Sequence, residues 1–204
     1  MTPDLKEYKR VIRDGLGIEW LLWTAKGCPV PPTDPYKLAA VRKYFNRFGF
    51  TTFIETGTYM GQMIDGVKNL FDIVISIELS KKLYLKAKKR FAKDDNVFIY
   101  HGDSAKLLPA ILEGINEPAV FWLDAHYSGG ISTRGDQVTP IVAELQTIFN
   151  HSVHNHVILI DDASGFTMGY NGYPTIDYLK KILPENMVLH IENDIISIRP
   201  RRYV

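Results

Sequence analysis

The stretch FIETGTYMG, residues 53–61, decides the fold predicted for this 204-residue chain. It opens with apolar and β-branched residues, which are typical of a buried strand, and then reaches Glu55. Gly57 and Gly61 lead from this strand into a helical stretch at 62–71. Glycine lets a backbone approach a ligand closely, and the first turn of a helix offers free N–H groups. The stretch therefore predicts a nucleotide-type cradle. The alternative is a strand–helix turn that holds no ligand.

The spacing of the glycines argues against a dinucleotide in this cradle. They are arranged as Gly-x-x-x-Gly, whereas dinucleotide-binding turns carry Gly-x-Gly-x-x-Gly. Glu55 at the strand end would repel a diphosphate, and it would attract a ligand with a positive charge or with hydroxyl and amine donors.

Strands and helices alternate along the rest of the chain. We expect strands at 52–55, 73–77, 97–100, 120–123, 157–160, 188–191 and 195–199, and helices at 36–48, 62–71, 81–91, 105–112, 138–149 and 175–182. This order predicts a doubly wound α/β domain, and the short joint Asn193-Asp194 makes the last two strands antiparallel. We assign residues 36–204 to this domain. Residues 1–35 form a helical N-terminal arm that ends in a proline-rich connector.

An acid follows each of the first five predicted strands. These acids are Glu55, Glu78, Asp103, Asp124 and the pair Asp161-Asp162. Ligands of open parallel sheets bind outside the carboxyl ends of the strands, so these side chains mark the expected binding edge. For Asp103 and Asp162 an alternative role is to cap the helix that follows.

This set of motifs resembles the class I methyltransferases that use S-adenosylmethionine (SAM). Glu-x-Gly-x-x-x-Gly is similar to their first motif, although the segment Thr58-Tyr59-Met60 lacks the usual middle glycine. Glu78 lies 23 residues after Glu55, close to the spacing of a ribose-binding acid. The resemblance implies a Rossmann-like doubly wound sheet of seven strands, mostly parallel with an antiparallel last strand. It also implies ribose hydroxyls on Glu78 and adenine near Asp103 and Ser104. The full set of implied cofactor contacts is Glu55, Thr56, Gly57, Thr58, Tyr59, Gly61, Glu78, Leu79, Asp103, Ser104 and Asp124.

Two further segments resemble the metal-site strand ends of sugar O-methyltransferases that act on macrolide antibiotics. They are WLDAHYSGG, residues 122–130, and ILIDDA, residues 158–163. By that resemblance Asp124, Asp161 and Asp162 would hold Mg²⁺, an ion that prefers oxygen ligands. No lysine or arginine lies in either segment to offset these carboxylates, and Arg134 is the nearest candidate.

The expected catalytic residues are Asp124 and His126, because a base beside the acceptor can take the proton of a hydroxyl group. Asp124 has an alternative role as a cofactor contact, and Asp162 as a helix cap. His126 has two alternatives, as a metal ligand and as a loop residue that only forms hydrogen bonds.

The sequence therefore predicts a SAM-dependent O-methyltransferase that acts on a small hydroxylated acceptor, such as a sugar or a glycosylated metabolite, with the help of a metal. Glycine-rich loops at 127–137 and 164–174 would recognise this acceptor, and Phe166, Tyr170 and Tyr173 suit the flat faces of sugars or rings. The alternatives are a nucleotide-dependent oxidoreductase and a non-catalytic SAM-binding module.

Composition narrows the partners and the location. A formal net charge of +1 predicts neither a nucleic-acid nor a membrane partner. The lone Cys28 and the lack of an apolar run of about 18 residues fit a cytoplasmic protein. Trp20 and Trp23 predict a packed helix, a lid or a dimer surface, so a homodimer is among the expected assemblies. The three histidines between positions 151 and 156 predict a solvated loop away from the cofactor.

Overall fold

The structure is a computed structural model that describes Lys26 and residues 34–124, 139–166 and 173–203. The predicted N-terminal arm up to residue 33, His126 and most of both glycine-rich loops lie outside the described residues. None of the described helices is long and apolar enough to cross a bilayer.

A seven-stranded sheet forms the centre of the described chain, and its order is β3-β2-β1-β4-β5-β7-β6. Strands β1 to β5 are parallel, and β7 runs antiparallel between β5 and β6. The bounds are Thr52–Thr56 for β1, Ile73–Glu78 for β2, Val97–His101 for β3, Ala119–Leu123 for β4, Val157–Ile160 for β5, Met187–Glu192 for β6 and Ile195–Pro200 for β7. The predicted Rossmann-like sheet with an antiparallel last strand is confirmed.

Helices cover both faces of the sheet, as the alternation predicts. Their bounds are Asp34–Phe48 for α1, Gln62–Val67 for α2, Lys81–Arg90 for α3, Ser104–Leu112 for α4, Ile141–Phe149 for α5 and Ile176–Ile182 for α6. Two short 3₁₀ turns follow β5 and β7, at Ala163–Phe166 and Arg201–Tyr203.

Alternate residues of the strands feed two separate cores. Phe53 and Trp122 pack with Val41 and Ile64 on the face covered by α1, α2 and α3. Ile54 and Phe121, with the other strand residues of the same parity, pack with α4, α5 and α6 on the opposite face. Side chains in a strand alternate between faces, so a sheet buried on both sides needs continuous apolar runs rather than an alternating pattern.

Helix α2 is shorter than its sequence predicts: it ends at Val67, whereas the prediction extended it to Phe71. The Asn96 side chain donates hydrogen bonds to the carbonyls of Lys68 and Phe71, at 2.8 and 2.9 Å. These bonds satisfy two backbone carbonyls that have no partner within the helix. The chain then turns directly into β2.

Helix α1 lies very close to α2, and Gly66 makes this approach possible. A Cβ atom on Gly66 would overlap the Leu38 side chain, with the Leu38 Cγ atom only 2.9 Å away. Helix α1 is also tied to the far side of the sheet. The Asn193 amide donates to the Tyr36 hydroxyl, and Arg199 Nη1 donates to the Tyr44 hydroxyl at 3.0 Å.

The tight hairpin between β6 and β7 has positive φ at both of its central residues, Asn193 (51°) and Asp194 (63°). Positive φ at both positions is the geometry of the hairpin turn predicted for this joint. Asp194 also holds the turn that follows β5. Its Oδ1 atom accepts from the Ser164 N–H at 2.6 Å, and its carbonyl accepts from the Ala163 N–H at 2.8 Å.

Candidate functional site

The carboxyl ends of four strands are joined in one continuous row. Gly57 N–H donates to the Ile77 carbonyl at 2.9 Å, and Asp124 N–H donates to the Thr56 carbonyl at 3.0 Å. Asp161 N–H donates to the Leu123 carbonyl at 3.1 Å. Each of these bonds lies one residue past the last paired residues of two neighbouring strands, so the four strands end level with one another. The acids at the ends of β1, β2, β4 and β5 therefore lie along one edge of the sheet, as predicted.

The turn after β1 has the backbone of a cradle. Gly57 and Gly61 have φ values of 90° and 79°, which favour glycine, and Tyr59 has φ of 48°. Gly61 N–H closes the turn on the Thr58 carbonyl at 2.9 Å. A Cβ atom on Gly61 would lie 2.8 Å from the Phe91 ring, so this position has no room for a side chain. Tyr59 and its neighbour Met60 are exposed at the top of the turn.

Glu78 fixes this turn against the end of β2. Its Oε2 atom accepts from the Tyr59 N–H at 2.8 Å, and its Oε1 atom accepts from the Ser80 N–H at 2.7 Å. Burial raises the pKa of Glu78, and these backbone N–H groups oppose the rise. Each carboxylate oxygen has two lone pairs, so both oxygens keep a position for a ribose hydroxyl. Leu79, the next predicted contact, is partly exposed.

Glu55 lies beneath the turn in a chain of hydrogen-bonded side chains. Ser76 Oγ donates to Glu55 Oε2 at 2.6 Å, and Ser76 Oγ and Thr58 Oγ1 are also 2.6 Å apart. Burial raises the pKa of Glu55 to about 8, with smaller contributions from Asp124 and Glu78. A cationic ligand would favour ionised Glu55, so the site is suited to bind a positive charge here.

Asp103 caps helix α4, the role that the sequence left open for it. Its Oδ1 atom accepts from the Ala105 N–H at 3.0 Å. Ser104 is buried in the first turn of this helix. The contact of Asp103 and Ser104 with adenine stays a prediction.

Glu144, which no sequence motif indicated, lies under the same edge on the opposite face of the sheet. It projects from α5 and is 1% exposed. Burial raises its pKa to about 7, while the Ser104 hydroxyl opposes the rise. Glu144 Oε1 and Thr56 Oγ1 complete no hydrogen bond within the described part of the chain. An acid inside the apolar helix sequence IVAELQTIF is the signal that could have identified it.

The ends of β4 and β5 form the acidic end of the site, and a lysine is bound there. Lys37, on α1, donates to Asp161 Oδ2, and Asp161 Oδ1 accepts from the Asp162 N–H at 3.0 Å. Arg134, which the sequence indicated as the nearest candidate cation, lies outside the described residues, and the structure places Lys37 beside Asp161. Lys37 and Asp161 are 124 positions apart, so no local motif could reveal the pair.

Electrostatics at this end favour a charged Lys37. Burial lowers the pKa of Lys37, but Asp161, Asp124 and Asp162 together outweigh burial, so the pKa is raised overall. Burial and the neighbouring Asp124 raise the pKa of Asp161, and the Lys37 ammonium opposes that rise.

The arrangement does not fit the predicted divalent ion. The described residues contain no group of three or more histidines, cysteines and acids placed to hold a metal. Mg²⁺ requires several oxygen ligands around it, and the positive charge of the Lys37 ammonium, which is hydrogen-bonded to Asp161 Oδ2, opposes a second cation at this carboxylate. The predicted shared ligation by Asp124, Asp161 and Asp162 is therefore not found.

Tyr173 borders the acidic end from the loop that follows β5. Burial raises its pKa, and Asp162, Asp124 and Asp161 raise it further, so the phenol stays neutral at physiological pH. Its ring packs edge-on against Phe166 with centroids 4.9 Å apart. Phe166 is 1% exposed, so it belongs to the core and not to an exposed recognition surface.

His156 departs from the predicted solvated loop. It is 2% exposed, and its Nδ1 atom accepts from the Ala119 N–H at 3.0 Å. Burial, with the neighbouring His151, lowers its pKa to about 4. It precedes β5, at the edge of the sheet opposite the acids, so it joins two strands and takes no part in the site.

Comparison with known proteins finds this fold among methyltransferases. A putative caffeoyl-CoA O-methyltransferase from Staphylococcus aureus is 17% identical, with a TM-score of 0.61 over 96% of this chain and 100% of the other. An O-methyltransferase from Bacillus cereus, in complex with S-adenosylhomocysteine (SAH), is 15% identical, with a TM-score of 0.61 over 90% of each chain.

A third similar structure is the O-methyltransferase TomG from Streptomyces achromogenes, involved in tomaymycin synthesis and in complex with SAM. It is 13% identical, with a TM-score of 0.62 over 84% of this chain and 82% of the other. No protein-family model matches the sequence, and no curated protein matches it. At these identities the likeness establishes that the chain has the fold of these methyltransferases.

Proposed function

We propose that this protein is a SAM-dependent O-methyltransferase that acts on a small hydroxylated acceptor. The observation that carries the proposal is the row of strand-end acids beside a positive-φ glycine turn, at the edge where open α/β sheets bind ligands. Support for SAM and for an oxygen acceptor comes from similar structures that are O-methyltransferases with SAM or SAH bound.

The cofactor would lie along this row with its two ends on different acids. Buried Glu55 suits the ammonium group of the methionine end, because a positive charge relieves the cost of ionising the carboxyl group. Glu78, fixed by two backbone N–H groups, suits the ribose hydroxyls. The adenine would then reach Asp103 and Ser104 at the start of α4.

The acceptor would approach from the acidic end, beside Asp124 and Tyr173. SAM held on this row would supply the methyl group to the acceptor oxygen, and SAH would be the leaving group. The hydroxyl proton passes to a base, for which Asp124 and His126 are the candidates. Alignment of oxygen, carbon and sulfur accounts for much of the rate, so a fixed sheet edge is a suitable support.

We also propose that the acceptor is a sugar or a glycosylated metabolite. The half-buried ring of Tyr173 suits the flat face of a sugar or a glycosylated metabolite. The sequence also predicted assistance by Mg²⁺, but the donor set around Asp161 does not fit that ion, so no step is assigned to it. A cytoplasmic location, a homodimer and the lack of a nucleic-acid partner stay predictions of the sequence.

Titration calorimetry with SAH, and with NAD⁺ in parallel, tests the cofactor. We expect SAH to bind and NAD⁺ not to bind. Glu78→Ala should weaken SAH binding by about 1.5–3 kcal/mol, the range for hydrogen bonds to a charged group. Glu113→Ala is the matched control, since Glu113 is an exposed acid at the end of α4. Binding of NAD⁺ in place of SAH would favour an oxidoreductase and refute the proposal.

Transfer itself is tested with SAM labelled on the methyl group and a panel of sugars, glycosides and phenols. Label recovered as an alkali-stable methyl ether on an acceptor oxygen supports the proposal. A protein that binds SAH tightly and transfers label to no member of the panel would point to a non-catalytic SAM-binding module.

A further inference from the structure

We propose that Lys37 is the resident cation of the acceptor end, so that its ammonium group takes the place of a divalent metal ion. The role that the sequence assigned to Mg²⁺, neutralising strand-end carboxylates beside the acceptor, would then belong to a side chain of α1. Its action on an acceptor rests on the proposed function, whereas its effect on metal binding can be tested without it.

Burial distinguishes the Lys37–Asp161 pair from a surface ion pair. The side chain of Asp161 is 0% exposed and that of Lys37 is 18% exposed. A carboxylate withdrawn from water needs a partner charge and hydrogen bonds, and Asp161 has both. Lys43, further along α1, pairs with Glu192 at 3.4 Å, with side chains 51% and 49% exposed. That pair is screened by solvent and contributes little.

Contacts on two sides of helix α1 fix the position of the helix, and therefore of Lys37. The Gly66–Leu38 approach seats α1 against α2, and the bonds of Tyr36 and Tyr44 anchor it to the β6–β7 hairpin and to β7. A lysine on a helix anchored in this way loses less conformational freedom when it pairs than one on a free surface, so the ammonium is pre-positioned.

Lys37 has the hydrogen-bonding capacity for this role. An ammonium group carries three donors, and its bond to Asp161 Oδ2 uses one of them. The charges of Asp124 and Asp162 also favour the ammonium form of Lys37. A fixed positive charge at this place would stabilise negative charge that develops on an acceptor oxygen. Lys37 is thus a positioning and charge-balancing residue.

Binding of Mn²⁺, followed by electron paramagnetic resonance and by calorimetry in the absence of any acceptor, tests this inference. We expect the wild-type protein and Lys43→Met to show no binding at the acidic end. Lys37→Met, which keeps the length of the side chain and removes its charge, should bind Mn²⁺ about tenfold or more tightly than the wild type. Adding Asp161→Asn should abolish the gain, and Lys37→Arg should not produce it.

The wild-type protein alone can overturn the inference. If it binds Mn²⁺, and Asp161→Asn removes that binding, the acidic end is a metal site and Lys37 is not its cation. The wild-type measurement stays decisive if Lys37→Met does not fold. In that case, recovery of folding in Lys37→Met/Asp161→Asn would support the pair as a charge balance.

SAH binding, measured on the same samples, separates the two proposals. Wild-type protein that does not bind SAH refutes the proposed function, and Mn²⁺ binding then decides the role of Lys37 by itself. Once an acceptor is known, Mg²⁺ should restore turnover to Lys37→Met and leave the wild type and Lys43→Met unchanged. A residue that only supports the fold would show no such rescue.

Discussion

Under the proposed function, we expect the binding of SAM to release a proton from Glu55. Its pKa is raised to about 8 by burial, so at pH 7 roughly nine in ten Glu55 side chains are protonated in the free protein. An ammonium group placed beside the carboxyl group lowers that pKa again, and the proton is lost. We therefore expect wild-type protein to release roughly 0.5–1 proton on binding SAH or SAM at pH 7.

Calorimetry in buffers of different ionisation enthalpy measures this proton directly. Glu55→Gln is the matched variant, because the amide oxygen of glutamine can still accept from Ser76 Oγ while its side chain cannot ionise. The variant should release no proton and should bind SAH more weakly. Equal proton release by the wild type and Glu55→Gln, or none by the wild type, would refute the placement of the ligand's cationic end on Glu55.

The raised pKa of Glu55 also predicts that the folded protein loses stability as the pH rises. The pKa of Glu55 rises from 4.5 to about 8 on folding, so its favourable contribution is complete below pH 4.5 and is lost as pH rises towards 8. At about 1.4 kcal/mol per unit, the loss over that interval is about 5 kcal/mol. Denaturant unfolding at pH 5 and pH 9 should show this loss in the wild type and not in Glu55→Gln. A parallel pH dependence in both proteins would contradict the argument.

Three other outcomes follow from the packing and the backbone. Gly66→Ala should destabilise the fold by about 1–3 kcal/mol because its methyl group would overlap Leu38, whereas Gly114→Ala, with its nearest atom at 3.6 Å, should be close to neutral in urea unfolding. Gly57→Val should abolish SAH binding in a protein that is still folded by circular dichroism, since φ is 90° there. His156 has its pKa lowered from 6.5 to about 4, so its contribution is present above pH 6.5 and is lost as pH falls towards 4. Over that interval the wild type should lose about 3 kcal/mol relative to His156→Gln, and equal losses would contradict the assignment.

Local sequence was sufficient for the sheet and for the row of acids. Strand ends were predictable to within about one residue because continuous apolar runs stop at a polar side chain, and Glu55, Glu78 and Asp161 are those stops. The hairpin at Asn193-Asp194 was predictable for a similar reason, since few residues other than glycine tolerate two positive φ values in succession. The end of α2 was not predictable from local sequence, because the carbonyls after it are bound by the side chain of Asn96, which lies just before β3.

Contacts between distant residues account for the errors at the site. Lys37 lies on an amphipathic helix where a lysine usually faces solvent, and only the packing of α1 brings it to Asp161. His156 looked like part of a polar loop, yet the Ala119 N–H requires an acceptor inside the sheet. Phe166 stood in a glycine-rich segment, and a 3₁₀ turn folds it into the core. Each depends on which element covers it, and periodicity does not encode that information.

Asp194 fixes the backbone at residues 163 and 164, so the β6–β7 hairpin holds the start of the segment that we propose recognises the acceptor. The hairpin lies beyond β5 in the sheet, and its bonds to residues 163 and 164 set where the chain departs from β5. Exchanging the segment after Phe166 should redirect acceptor choice while SAH affinity is retained, provided that Asp194 and Ser164 are kept. In a lineage of related chains, the same separation would let acceptor preference diverge without any change to the cofactor cradle.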